Sequence, residues 1–274
     1  MAHEMFAQVY SIHVEIMDTM MPVVVALLPN KDQVTYNRMI QLLQAAAHRL
    51  GHLFQPNIVC TDFEMSMINC ISRVFPGSRI RGCLFHYSQC IWRKVQELGL
   101  VVRYKEDQPF NRVVRRASAL PLVPPALVDD VWMEAMNEVN DEQAMRFLDY
   151  VTQTWVDNMA ARFPMEMWNQ YDNLAGRRTN NNLEAWHSLL NRELGRPHPN
   201  IYKFIIILQG KQQKFDQQLR LLEAGDAPIA PRRVYRELTE RILRLKLRLE
   251  RREITAYQYA GSVAGALKLG FVNN

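Results

Sequence analysis

The pattern of apolar and polar positions separates strands from helices over the first hundred residues. Ala7–Ile16, AQVYSIHVEI, and Pro22–Leu28, PVVVALL, are β-branched and aromatic runs joined by a short polar and methionine-rich link, which predicts a β-hairpin. In NKDQVTYNRMIQLLQAAAHRLG the residues Val34, Ile40, Leu43, Ala47 and Leu50 recur at helical spacing. Asn30 is the expected cap of this helix, with Gln33 three residues on, and Gly51 its stop. NIVCTDFE then reads as a short buried strand and MSMINCISRVF as a helix ended by Pro76-Gly77. RIRGCLFHY reads as another strand, and SQCIWRKVQEL as a helix ended by Gly99. Strands alternating with helices predict a parallel portion of a sheet, covered on both faces.

From Val101 the strand signals stop. FNRVVRRASAL, ALVDDVWMEAMNEV and EQAMRFLDYVTQTWVDNM carry helical periodicity, with PLVPP as a hinge, and together read as a helical insertion. RRTNNNLEAWHSLLNRELGRPHPN predicts one more helix, capped by Thr179 or Asn180 and stopped by Gly195 with Pro197 just beyond. Helices rich in Lys and Arg follow between Ile201 and Glu253, and a tail of small residues, AGSVAGALKLG, closes the pattern.

Composition adds few constraints. The 274 residues are 48% hydrophobic and 22% charged, an ordinary globular balance, and the net charge of +5 mildly favours polyanionic partners. The placement of charge says more than its size: basic residues crowd into KQQKFDQQLR and PRRVYRELTERILRLKLRLERRE, while the first hundred positions are nearly balanced. Cys60, Cys70, Cys83 and Cys90 include no C-x-x-C, and the first residues show no charged and apolar leader pattern, so a reduced, intracellular protein is expected. The longest apolar stretch, MMPVVVALLP, is too short for a membrane span, which needs about 20 residues.

Candidate chemistry falls on four places. Asp62 sits where the run Ile58-Val59-Cys60 gives way to a helix, the place where open α/β sheets collect functional groups. A lone Asp there is more often a helix N-cap, and Glu64 is expected to face solvent near the helix dipole. Glu184 shares one helix face with His187, Ser188 and Asn191, while Leu183, Trp186, Leu190 and Leu194 form the apolar stripe. Cys83 and His86 have the spacing of half a zinc site with no second pair at a standard distance, so a buried Cys and a hydrogen-bonded His are the default. The basic C-terminal helices are either a phosphate-binding stripe or the solvated side of an amphipathic hairpin.

Three blocks, LLPNKDQVTYNRMI, TDFEMSMINCISRVFPGSRIRGCLFHYSQCIWRKVQELGL and RRTNNNLEAWHSLLNRELGRPHPNIYKFI, resemble the transposase domain of Mutator-like elements, in family order, from Phe6 to about Leu208. The resemblance implies an α/β, RNase H-like mixed sheet with an all-helical insertion and a helical C-terminal extension. It divides the chain into a core over 1–100, the insertion over 101–165, the last catalytic-type helix over 166–210 and a basic extension over 211–274.

Members of that family hold two divalent ions, Mg²⁺ or Mn²⁺, with two aspartates and a glutamate, and cut and join DNA by in-line attack on a phosphodiester. By the motifs TDFE and NNLEAWH, Asp62 matches the second aspartate and Glu184 the glutamate, so the two are expected to lie within about 10 Å of each other and share one metal site. Cys83, His86, Asn181 and His187 match positions that shape the site or contact DNA.

The first aspartate, in a D-G-T-F block, has no counterpart within this sequence, which implies a sheet lacking its first strand and a triad too incomplete for catalysis. The readings that follow are an inactive transposase-derived protein, a domesticated DNA- or chromatin-binding protein, and a truncated form of an active transposase. The expected partner is DNA, bound weakly and without sequence preference through Arg232, Arg233, Arg244, Arg248 and Arg251, with a nuclear location, no membrane and a possible homo-oligomer.

Overall fold

A computed structural model describes residues 6–174, 181–195, 200–227, 230 and 233–267; within 181–195, the side chains of 181–184 are outside the description. The chain is mixed α/β and mostly helical, and it divides into two compact units, each discontinuous in sequence.

One unit comprises Met1–Asn57, Glu64–Ser78 and Asn180–Pro231. It opens with the expected hairpin, β1 (Gln8–Ile16) and β2 (Thr19–Leu28), paired antiparallel from Ile16↔Thr19 to Gln8↔Leu28. Met17 and Asp18 both take positive φ, 46° and 58°, a two-residue turn whose twist matches the strands. The register slips between Ile12 and His13, leaving Val23 as the extra residue of a bulge beside Pro22, which has no N–H to give to a ladder.

Helix α1 (Gln33–Arg49) starts later than the Asn30 cap predicted. Asp32 is the N-cap, and its carboxylate accepts from the Thr35 N–H at 2.7 Å. Gly51, at φ +78°, ends the helix as expected. α2 (Met65–Val74) packs on α1, and Tyr36 is fully buried against Tyr10 with ring centroids 5.5 Å apart.

The second unit comprises Ile58–Phe63, Arg79–Thr179 and Arg232–Asn274. Its strands β3 (Ile58–Thr61) and β4 (Arg79–Gly82) pair in parallel, as the strand–helix alternation required, with Ile58 opposite Arg79 and Thr61 opposite Gly82. Among the described residues the expected covering of both faces is incomplete: Ile58 and Cys60 are exposed. β4 is also shorter than RIRGCLFHY suggested. Leu84-Phe85-His86-Tyr87 is the first turn of α3 (Leu84–Glu97), because the fully buried Tyr87 and Ile91 lie four residues apart on the side that faces the core.

Helices α4 (Val101–Glu106), α5 (Gln108–Ala119), α6 (Val128–Met136) and α7 (Glu142–Val151) follow, then a π-turn over Thr152–Val156 and α8 (Met165–Trp168). α5 is central, touching α3, α4, α6 and the final helix. Back in the first unit, α9 (Asn181–Leu194) and α10 (Ile201–Glu223) lie on the hairpin: Trp186, Leu190, Leu194 and Phe204 bury themselves against Val9, Val25 and Leu27. The Thr179 or Asn180 cap expected for α9 lies outside the described residues. α11 (Arg233–Glu250) and α12 (Ala256–Ala266) complete the second unit, where Tyr259 donates its hydroxyl to the Leu122 carbonyl at 2.8 Å.

Candidate functional site

The end of β3 is prolonged by one further bond, from the Cys83 N–H to the Thr61 carbonyl at 2.9 Å, so Asp62 leaves the strand pair at its carboxyl end. Asp62 does not cap α2. Glu64 holds the N-cap position, without a side-chain cap bond, and instead of facing solvent it accepts the Tyr36 hydroxyl at 2.9 Å. Asp62 itself is half-buried and has no hydrogen bond or ion pair among the described residues. A carboxylate left unengaged at a strand end is available to a ligand.

Its position is fixed by the next residue. The Phe63 ring meets Trp155 and Phe163 edge-on at 4.8 and 5.0 Å, and Trp155 and Phe163 stack at 4.9 Å. The same ring lies over Gly82, where an added Cβ would be 2.3 Å from Phe63 Cζ. Glycine is therefore demanded at this point of β4 by the close approach of a ring.

The Cys-x-x-His pair opens α3. Cys83 is fully buried at the N-cap position, and His86 is half-buried with its ring edge-on to Phe85 at 5.5 Å. His86, Cys90 and Arg93 follow at i, i+4 and i+7 along one face. Burial pushes the Cys90 thiol above its ordinary range; the nearby Asp62 carboxylate adds to this, while Arg93 and Arg162 oppose it. Arg79 and Arg81, on β4, both reach Asp172, at 2.8 and 3.0 Å.

His187 belongs to a second cluster that the sequence reading missed. Ser11 Oγ lies 3.1 Å from His187 Nε2 and 3.1 Å from His13 Nε2, and Trp186 is edge-on to both imidazoles. Burial, reinforced by the neighbouring His187, lowers His13 from its ordinary 6.5 to about 4, so it is neutral at physiological pH. The one available signal was Ser11 and His13 at alternate positions of a strand, on the same face. The side chains of Asn181 and Glu184 lie outside the described residues, so the expected approach of Glu184 to Asp62 stays an expectation from sequence.

On α11 and in the turn after it, basic residues have acidic neighbours. Arg233 pairs with Glu237 at 2.6 Å, Arg244 with Glu240 at 3.9 Å, and Arg248 and Arg251 with Glu253 at 3.3 and 3.9 Å. Arg232 lies outside the described residues. These pairs are exposed and worth only a few tenths of a kcal/mol each, which a phosphate can displace.

Among the described residues no three His, Cys, Asp or Glu side chains converge to hold a metal ion. Asp62 alone supplies too few ligands for a two-ion centre. No described helix is long and apolar enough to cross a membrane. Compared with known families, residues 2–90 match the MULE transposase domain and so carry a MULE transposase-like domain. The match includes Asp62, Cys83 and His86 and stops short of the segment with Glu184. No curated protein and no solved structure matches the chain.

Proposed function

We propose that this chain is a transposase-derived protein that binds DNA without cutting it. The MULE transposase-like domain over residues 2–90 supports the ancestry. The observation that carries the reading is Asp62, an unengaged carboxylate among the described residues at the carboxyl end of a parallel strand pair. An RNase H-like organisation, and Glu184 as the partner carboxylate, belong to the same proposal and rest on the resemblance.

Cleavage through a pair of Mg²⁺ or Mn²⁺ ions would need several oxygen ligands in near-octahedral geometry, of which Asp62 would supply one. Binding, by contrast, needs only positive charge beside phosphate. The exposed Arg244 and Arg248 on α11, with Arg251 in the turn just after it, at i, i+4 and i+7, supply a row of it. The test is a titration of labelled duplex DNA between about 50 and 200 mM salt. Affinity should fall with salt, and replacing the three arginines by Gln should flatten the slope by up to about 0.9 per lost contact. Binding that ignores salt would overturn the proposal.

A further inference from the structure

The strand that opens the hairpin carries chemistry that DNA binding does not use. By alternation Val9, Ser11 and His13 share one face of β1, and α9 lies on that face, with Trp186 packed against Val9. His187 follows Trp186 on the helix and so meets Ser11 across 176 positions of sequence. We propose that His13 and His187 hold one transition-metal ion of the Zn²⁺ class, with the Ser11 hydroxyl as a weak third donor, and that the ion staples the hairpin to α9.

Geometry brings the donors together without any help from charge. Ser11 Oγ lies 3.1 Å from Nε2 of each imidazole. A tetrahedral ion about 2.0–2.1 Å from its nitrogen ligands sets neighbouring donors roughly 3.3 Å apart, so both distances need to change by only about 0.2 Å. A hydroxyl has a single proton, so Ser11 donates to one imidazole and accepts the Nε2–H of the other. When an ion takes both Nε2 lone pairs, that second ring carries its proton on Nδ1 instead, and no proton has to leave the protein.

Trp186 stands edge-on to both rings at 5.3 and 5.0 Å, and its own burial holds this wall in place. Rings fixed in advance lose little freedom on binding. All three donors are half-buried, which leaves solvent to fill the fourth position. His13 is already neutral at physiological pH, the form in which imidazole ligates.

Ligand type separates this place from the acidic centre that the family resemblance implies. Imidazole nitrogen suits Zn²⁺, Co²⁺, Ni²⁺ or Cu²⁺, whereas Mg²⁺ prefers carboxylate, carbonyl and water oxygens. His48 and His52 are the competing pair by spacing, yet both are exposed at the end of α1, and Gly51 breaks the helix between them at φ +78°.

The experiment titrates Co²⁺ into the whole chain with its cysteines reduced, then displaces it with Zn²⁺. Visible bands of tetrahedral Co²⁺ should appear without a sulfur-to-cobalt charge-transfer band, and Zn²⁺ should bleach them. Trp186 is the one tryptophan in the sequence of its unit, so Co²⁺ beside it should quench a component of the emission that Trp186→Phe removes. Zn²⁺ at about 100 times its Kd should raise the melting temperature of that unit by several degrees. His13→Gln and His187→Gln should each weaken binding by about 100-fold or more, because losing even an outer partner of a ligating His costs about 10–100-fold. His48→Gln with His52→Gln, and a large excess of Mg²⁺, should change nothing.

Binding that survives the loss of both imidazoles, a charge-transfer band that marks cysteine ligands, or displacement of Co²⁺ by Mg²⁺ would overturn the site. So would no binding at all, which leaves Ser11 as a hydrogen-bonded bridge between two imidazoles. The spectra and the quenching are read on the parent chain, so the site is decided even where a variant fails to fold. None of these outcomes bears on DNA binding, which the salt titration decides separately.

Discussion

Gly82→Ala is the smallest change that should disturb the end of β3. The backbone at Gly82 does not take the positive φ that only glycine tolerates, so the cost comes from contact alone. The new Cβ would stand 2.3 and 2.5 Å from two carbons of the Phe63 ring, where carbons rest at about 3.5–4.0 Å. The ring would have to move by more than about 1 Å. Trp155, Phe163 and Tyr87 block it, at centroid distances of 4.8, 5.0 and 6.4 Å.

Overpacking of this kind costs about 1–3 kcal/mol, and a ring confined by three others belongs near the upper end. Four of the five tryptophans, Trp92, Trp132, Trp155 and Trp168, lie in the same unit as Gly82, so tryptophan fluorescence during urea unfolding reports mainly on that unit. With a slope of roughly 3 kcal/mol/M, the midpoint should fall by about 0.7–1 M. In a Phe63→Ala background the clash is gone, and the same substitution should be neutral or stabilise by up to about 1 kcal/mol. The difference between the two backgrounds is the coupling energy, expected at about 2 kcal/mol or more. A Gly82→Ala cost under about 0.5 kcal/mol, or an equal cost in both backgrounds, would refute the reasoning.

Two further outcomes follow from the other unit. His13 binds its proton less readily folded, at about 4, than unfolded, at about 6.5, so the unfolded state holds more protons between those values. Stability of that unit should therefore rise with pH through the window from about 4 to 6.5 and be lost on acidification, by up to about 3 kcal/mol. His13→Gln should flatten this limb in melts recorded at several pH values. Met17 and Asp18 hold a left-handed conformation that costs a non-glycine residue about 1–2 kcal/mol, so replacing them by Asn-Gly should stabilise the hairpin by about 1 kcal/mol in urea unfolding.

Local order was legible where local chemistry decides it. The hairpin showed as two β-branched runs, the parallel pair as strands alternating with helices, and Gly51 and Gly99 marked helix ends, both at positive φ. The cap of α1 shifted from Asn30 to Asp32 because two acceptors two residues apart compete, and sequence does not say which meets the Thr35 N–H. β4 was read too long since Leu84–Tyr87 is apolar in either period.

Asp62 was placed correctly at its strand end, yet its freedom from a capping role depended on Glu64 taking the N-cap. The contacts that build the sites were not readable. Ser11 and His187 are 176 positions apart, and nothing local links Phe63 to Phe163 or Gly82. The ion pairing along α11, in contrast, was written in its sequence as Arg and Glu at i, i+4.

The most direct measurement of the central claim is nicking of supercoiled plasmid by the purified 274-residue chain in Mg²⁺ and in Mn²⁺, beside an Asp62→Ala control. The account predicts binding to the plasmid and no cleavage above that control. Metal-dependent nicking by the parent chain that Asp62→Ala abolishes would contradict it.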